Sequence, residues 1–330
     1  MLAGVFLYGC EEARSAPVDM EVDKDIGKVE TPTMPYDAVV KFSDILAQYQ
    51  ALNTRLENVA ARLQIANATL CPVTVRDAGF TAHTLTDYPE RLQQVARGLL
   101  SVDESLSVRT VREGSTAARA GLRAGDKLIG VNGQRFVSGA TQQKFYERAI
   151  TSAFSNPSAR LTVARSDADG EKNVMSFKLK PETICGYPAH VVFDEYVNGH
   201  TDGRAVWITS ELMRTVDDDV NLALIVAHEM AHAMAGHLEL NPSDEARKVL
   251  ELQADSMALV MLSRAGFDVE HAIGYWSRAD NPQRLSQSRS DTHPNITQRL
   301  NNFERAKAAI ELAIRAGEPL NFQILPEPVL

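Results

Sequence analysis

The apolar positions that begin at Phe42 recur at Ile45, Tyr49, Leu52, Leu56, Val59 and Leu63, in alternating steps of three and four that keep them on one helical face. The spacing predicts a helix of about seven turns. Three heptads are few for a coiled coil, so its stripe is expected against its own protein, with Cys71-Pro72 ending it. The period then shortens: residues 106–111, 160–164 and 174–179 read as strands, and residues 204–209 as an edge-like strand. Residues 220–236 are apolar on nearly every side (Leu222, Leu224, Ile225, Val226, Met230, Met234) and follow Asp217-Asp218-Asp219, acids that suit a helix N-terminus. This predicts a core helix, too short at about 17 residues to span a membrane. A further helix is expected from Ser243 or Asp244 to Gly266, with both cap and stop signals present.

Composition narrows the class. The 330 residues suffice for two or three domains, and 44% hydrophobic with 23% charged residues is an ordinary globular balance, neither a disordered chain nor a multi-span membrane protein. Lys plus Arg number 34 against 43 Asp plus Glu, a net charge of -9 with no basic stripe, which argues against nucleic acid as a partner. Residues 2–9 are apolar, too few to cross a bilayer, and end at Leu7-Tyr8-Gly9-Cys10, which resembles a bacterial lipobox and implies a lipid on Cys10. Residues 11–35 are acidic and carry Pro17, Pro32 and Pro35, as a solvated tether below an anchor would. These features predict a lipid-anchored protein on the periplasmic side of a bacterial envelope; Glu11 is not the Asp that retains lipoproteins at the inner membrane, so the outer membrane is favoured. Removing Cys10 leaves Cys71 and Cys185, an even pair that an oxidising periplasm would join or that would otherwise stay as buried thiols.

Between residues 97 and 181 the turn signals have an order of their own: Glu113-Gly114-Ser115, Ala117-Ala118, Ala120-Gly121-Leu122, Gly125-Asp126, then residues 128–133 ending in Asn132-Gly133, a hairpin signal. The stretch resembles a PDZ domain. Such domains add an extended peptide as an extra strand, and the loop for a terminal carboxylate is expected at Gly98, Leu99 and Leu100.

The chemistry sits in the apolar helix, at His228-Glu229-Met230-Ala231-His232. Residues four apart share a helical face, so His228 and His232 can both aim a ring nitrogen at one Zn2+ with Glu229 beside the open position. Glu251 and Asp255 are again four apart, on a face with Ala258 and Leu262 where water cannot easily solvate two carboxylates. Glu251 fits the third ligand and Asp255 an acceptor orienting a ligand imidazole. A metzincin would need a third His at the position of Leu238; His237 comes one residue early and is expected at the surface or behind a ligand. These segments, with Gly236-His237, Thr292-His293-Pro294, Arg299 and the stretch from Asn198 to Thr209, resemble metallopeptidase family 48, the HtpX-like gluzincins. The resemblance covers roughly residues 186–315 and implies one Zn2+ per chain and His293 on a loop near the metal, in reach of the zinc or the developing oxyanion.

The expected architecture is a multidomain α+β chain. It comprises a signal-like segment (1–10), a tether (11–35), an N-terminal helical region (36–96), a PDZ-like β-barrel domain (97–181), a mostly helical zincin-like peptidase domain (182–318) and a tail (319–330). The expected function is zinc-dependent endoproteolysis of unfolded or mislocalised envelope polypeptides, held extended along Arg204, Val206, Trp207 and Thr209. The alternative is a PDZ adaptor or holdase whose zinc is structural.

Overall fold

The structure, a computed structural model, describes residues 36–136, 142–167, 169–240, 242–278 and 293–330. Cys10 with its lipobox-like run, the 11–35 tether and Thr292 lie outside the described residues.

Helix α1 (Tyr36–Ala66) forms on the three-four stripe. It stops at Ala66 rather than at Cys71-Pro72, and the Asn67 side chain that follows donates to the Leu63 and Met261 carbonyls, fixing the helix end against the segment that carries Met261. Its buried face from Tyr49 to Leu63 belongs to the same core as the apolar histidine-bearing helix, while Leu46 nearer its start belongs to a smaller cluster with Val95 and Ala96, so α1 does not form a region apart from the histidine-bearing unit. Beyond it, β1 (Thr74–Asp77) pairs antiparallel with β8 (Glu182–Cys185), and a disulfide joins Cys71 to Cys185 with Cα atoms 5.5 Å apart.

Next come β2 (Phe80–His83), α2 (Glu90–Leu100), β3 (Ser107–Val111), α3 (Thr116–Ala120), β4 (Lys127–Val131), β5 (Gln134–Arg135), α4 (Gln142–Phe154), β6 (Ala159–Ser166) and β7 (Lys172–Leu179). The sheet runs β2-β3-β4-β6-β7, with β5 on β4, around a core of Val108, Leu128, Tyr146, Leu161, Val163 and Leu179. Strand β2 is its edge, so this unit begins ahead of residue 97. Gly79, just before β2, has φ +82°, and a Cβ there would lie 2.2 Å from the Ser115 Cβ; only glycine lets the two turns meet.

Gly98, Leu99 and Leu100 are not a loop. They form the last turn of α2, closed by Ser101 in the left-handed region. Val95 and Ala96 of α2, with Leu100 partly buried beside them, pack against Leu46 of α1, and that burial outweighs the glycine's preference for a turn. The segment that directly precedes the outer strand β2 is Ala78-Gly79.

The last unit holds β9 (Ala189–Val192), β10 (Gly199–Thr201), β11 (Val206–Thr209), α5 (Ser210–Thr215), α6 (Asp219–Ala235), α7 (Asp244–Arg264), α8 (Val269–Ser277) and α9 (Ile296–Ala316). Its sheet order is β10-β11-β9. Asp218 caps α6 by accepting from Asn221 N–H at 2.8 Å, and Gly236 at φ +68° stops it. Ser243 caps α7. No helix among the described residues is long and apolar enough to cross a membrane.

Candidate metal centre

Helices α6 and α7 pack against each other with His228, His232 and Glu251 facing inward. One turn separates the two imidazoles, and their Nε2 atoms lie 3.1 Å apart. Glu251 meets both: Oε2 is 3.3 Å from His228 Nε2 and Oε1 is 3.4 Å from His232 Nε2. Ligands at about 2.0–2.1 Å from a tetrahedral Zn2+ stand roughly 3.3–3.4 Å from one another. Each imidazole stands at about that spacing from a Glu251 oxygen, Oε2 for His228 and Oε1 for His232, and N and O donors gathered this closely suit the ion. Glu229 follows His228 on the same helix and is partly buried.

The surrounding groups fix these donors. Asp255 Oδ1 lies 2.9 Å from His228 Nδ1, and Arg299 donates to both Asp255 oxygens at 2.8 and 3.0 Å. Arg299 also reaches Glu251 at 3.4 Å and stacks 4.2 Å over the Trp276 ring. Burial opposes charge on Asp255, yet the Arg299 guanidinium and His228 hold its carboxyl below the usual range. Burial likewise pulls His228 down, but the Asp255 and Glu251 carboxylates outweigh it and push the metal-free ring up to about 10. Glu251 is held well below its ordinary value, burial being overcome by the two histidines. His293 Nε2 sits 3.9 Å from Glu251 Oε2, which puts it at the rim of the same cluster. His237 is buried, not on the surface, and its Nδ1 lies 3.0 Å from His232 Nδ1.

Sequence reasoning did not assign roles to Arg299 or Gln253. For Arg299 the signal was present: residues 299, 303, 306 and 310 form the buried stripe of α9, and an arginine among Phe303, Ala306 and Ile310 must be ion-paired.

The expected substrate strand needs correcting. Strand β11 carries Val206, Trp207 and Thr209 in the middle of its sheet, antiparallel to β10 and parallel to β9, so both its edges are taken; Arg204 lies in the turn before it. A peptide cannot add there. The outer edge of β10 has no strand partner among the described residues, and β10 lies close on α6: a Cβ on Gly199 would meet Ile225 at 3.2 Å. Elsewhere, β2 and α4 border a cavity of about 720 Å³ whose walls include Phe80, Ala82, Ile150 and Phe154, and also Trp207 and His190.

Comparison with known proteins agrees with this layout. Residues 166–244 match the model of peptidase family M48, and residues 107–146 match that of the PDZ domain. The match to the M48 model ends seven residues before Glu251, which the geometry places beside His228 and His232. The mitochondrial metalloendopeptidase OMA1 of Saccharomyces cerevisiae is 24% identical over 157 residues, covering 35% of this chain and 46% of that protein; the chain thus spans less than half of that relative's length. Among solved structures, the HtrA3 PDZ domain bound to a phage-derived ligand is 22% identical over 34% of this chain and 92% of its own, with a TM-score of 0.24. The PDZ domain of a carboxy-terminal protease from Vibrio cholerae, in complex with peptide, is 18% identical over 34% and 98%, with a TM-score of 0.23.

Proposed function

We propose that this chain is a zinc-dependent endopeptidase that cleaves extended polypeptide, one Zn2+ per chain being held by His228, His232 and Glu251. The observation that carries the reading is that donor atoms of His228, His232 and Glu251 lie within 4.8 Å of one another, with the half-buried Glu229 next to His228 on α6. When bound, zinc supplies a Lewis acid that polarises the scissile carbonyl and lowers the pKa of a coordinated water toward about 7. Glu229 accepts the proton of the attacking water and returns it to the leaving amine. Asp255 and Arg299 hold His228 in place, and His293 stands at the rim of the cluster to contact the developing oxyanion.

The peptide is held extended along the outer edge of β10, which has no strand partner among the described residues. The PDZ-like unit holds another part of the polypeptide at β2 and α4, which favours long, unfolded chains over dipeptides. The Cys71–Cys185 disulfide supports an oxidising compartment, in keeping with an envelope protein anchored through Cys10 and acting on unfolded or mislocalised envelope proteins.

The test is unfolded casein. Wild-type chain is expected to cleave it and to stop on chelation, while Glu229→Gln keeps its zinc and loses at least about 10²-fold in rate. Comparable turnover by the variant refutes the assignment.

A further inference from the structure

The two imidazoles at the metal centre are oriented by different chemistry. His228 faces an ion-paired carboxylate, Asp255, whereas no carboxylate approaches His232 Nδ1 among the described contacts. Its neighbour is His237. Gly236 stops α6 in the left-handed region and turns the chain so that His237, 7% exposed, folds back against the helix it has just left. The His232 and His237 rings meet edge to face, centroids 4.9 Å apart and planes at 80°. The far nitrogen of His237, Nε2, lies 3.2 Å from Oε1 of Gln253 on α7.

We infer that Gln253 and His237 form a positioning relay that fixes which nitrogen of His232 is left bare for the metal. The inference rests on the zinc reading above. Its logic is proton accounting along one line of contacts. An amide oxygen only accepts, so His237 Nε2 carries the hydrogen it donates to Gln253. A neutral His237 then has a bare Nδ1. Two ring nitrogens 3.0 Å apart need one hydrogen between them, so His232 Nδ1 donates it. His232 Nε2 is left with a lone pair, and it points toward His228 Nε2 and Glu251 Oε1. Turning the Gln253 amide over reverses every step and puts a hydrogen on His232 Nε2, where a ligand must have none. The amide oxygen at the start of the line therefore matters at its end.

The relay is also electrically neutral. Glu251 and Asp255 already bring two negative charges to the cluster against one from Arg299. A second carboxylate behind His232 would add a third and weaken the pull of the metal on a carbonyl oxygen. An imidazole backed by an amide orients the ring without that cost.

Zinc affinity measured on the full chain by competition with a chromogenic chelator, together with the melting temperature of each metal-free variant, tests the relay. His237→Leu is expected to weaken zinc about 10- to 100-fold. His237→Asn, whose side-chain oxygen stands where Nδ1 was and accepts the same hydrogen bond, should recover most of that loss, while the two metal-free forms melt alike. Gln253 is exposed, so Gln253→Leu leaves the fold intact and keeps the question answerable if His237→Leu does not fold; it should weaken zinc several-fold. Wild-type binding with His237→Leu and His237→Asn equally tight, or with Gln253→Leu unchanged, overturns the relay alone. A wild-type chain that takes up no zinc overturns the metal reading and the relay together.

Discussion

His228 carries the sharpest consequence of the donor cluster. Its metal-free ring is raised from the ordinary 6.5 to about 10 by Asp255 and Glu251 working against burial. The stability this bridge contributes is fully present below about pH 6.5 and is lost as pH rises through about 10. A metal must displace that proton, so zinc uptake at pH 7.5 should release about one proton, and apparent affinity should rise about tenfold per pH unit between roughly pH 7 and 9. Calorimetry in buffers of different ionisation enthalpy reads both; pH-independent uptake contradicts it. At this scale much of the site was legible, because helical spacing alone puts His228 with His232 and Glu251 with Asp255. The same spacing put Asp255 behind a ligand imidazole, where it meets His228, but it could not supply the groups behind His232. His237 and Gln253 meet only because a left-handed glycine folds the chain back, a tertiary event with no periodic trace.

Elements were legible in kind and less so in neighbours. Alternation at residues 204–209 predicts a strand whether its edges are open or taken, since pairing is set by segments far away in sequence. So β11 lies centrally, and β10, only three residues long, has no strand partner on its outer edge among the described residues. Glycine at 98 suggested a loop, but α2 had a buried face in Val95 and Ala96, and packing decided. The Cys71–Cys185 bridge ties the segment after α1 to β8 across 114 residues of sequence and so limits the unfolded chain. Replacing both cysteines by alanine should cost about 2–4 kcal/mol in denaturant unfolding, with little change in zinc affinity. An unchanged midpoint, or lost zinc binding, would show that the bridge does something else.

Across the whole molecule, the two units meet along α1. Glu57 of α1 pairs with Arg109 of β3 at 2.7 Å and accepts from Thr110 on the same strand. Beside this seam His83 is buried, its Nδ1 2.6 Å from the Tyr88 hydroxyl, and burial with the nearby Arg109 and Lys127 charges lowers it to about 3. Its stability contribution is complete above about pH 6.5 and is lost as pH falls toward 3, by up to about 1.4 kcal/mol per pH unit. His83→Phe should flatten the melting temperature between pH 6.5 and 4; an equally steep profile in the variant places the acid sensitivity elsewhere. None of this seam was visible in sequence, where residues 36–96 read as a unit of their own, because Glu57 and Arg109 lie 52 residues apart on elements whose periodicity does not show that they meet.

The most direct measurement is metal content. Purified wild-type chain and Glu229→Gln should each carry one zinc, removable by chelation and regained on reloading, whereas Glu251→Ala, folded by circular dichroism, should carry almost none. A Glu251→Ala chain that keeps a full equivalent of zinc would contradict the joint grip of α6 and α7 on which the account rests.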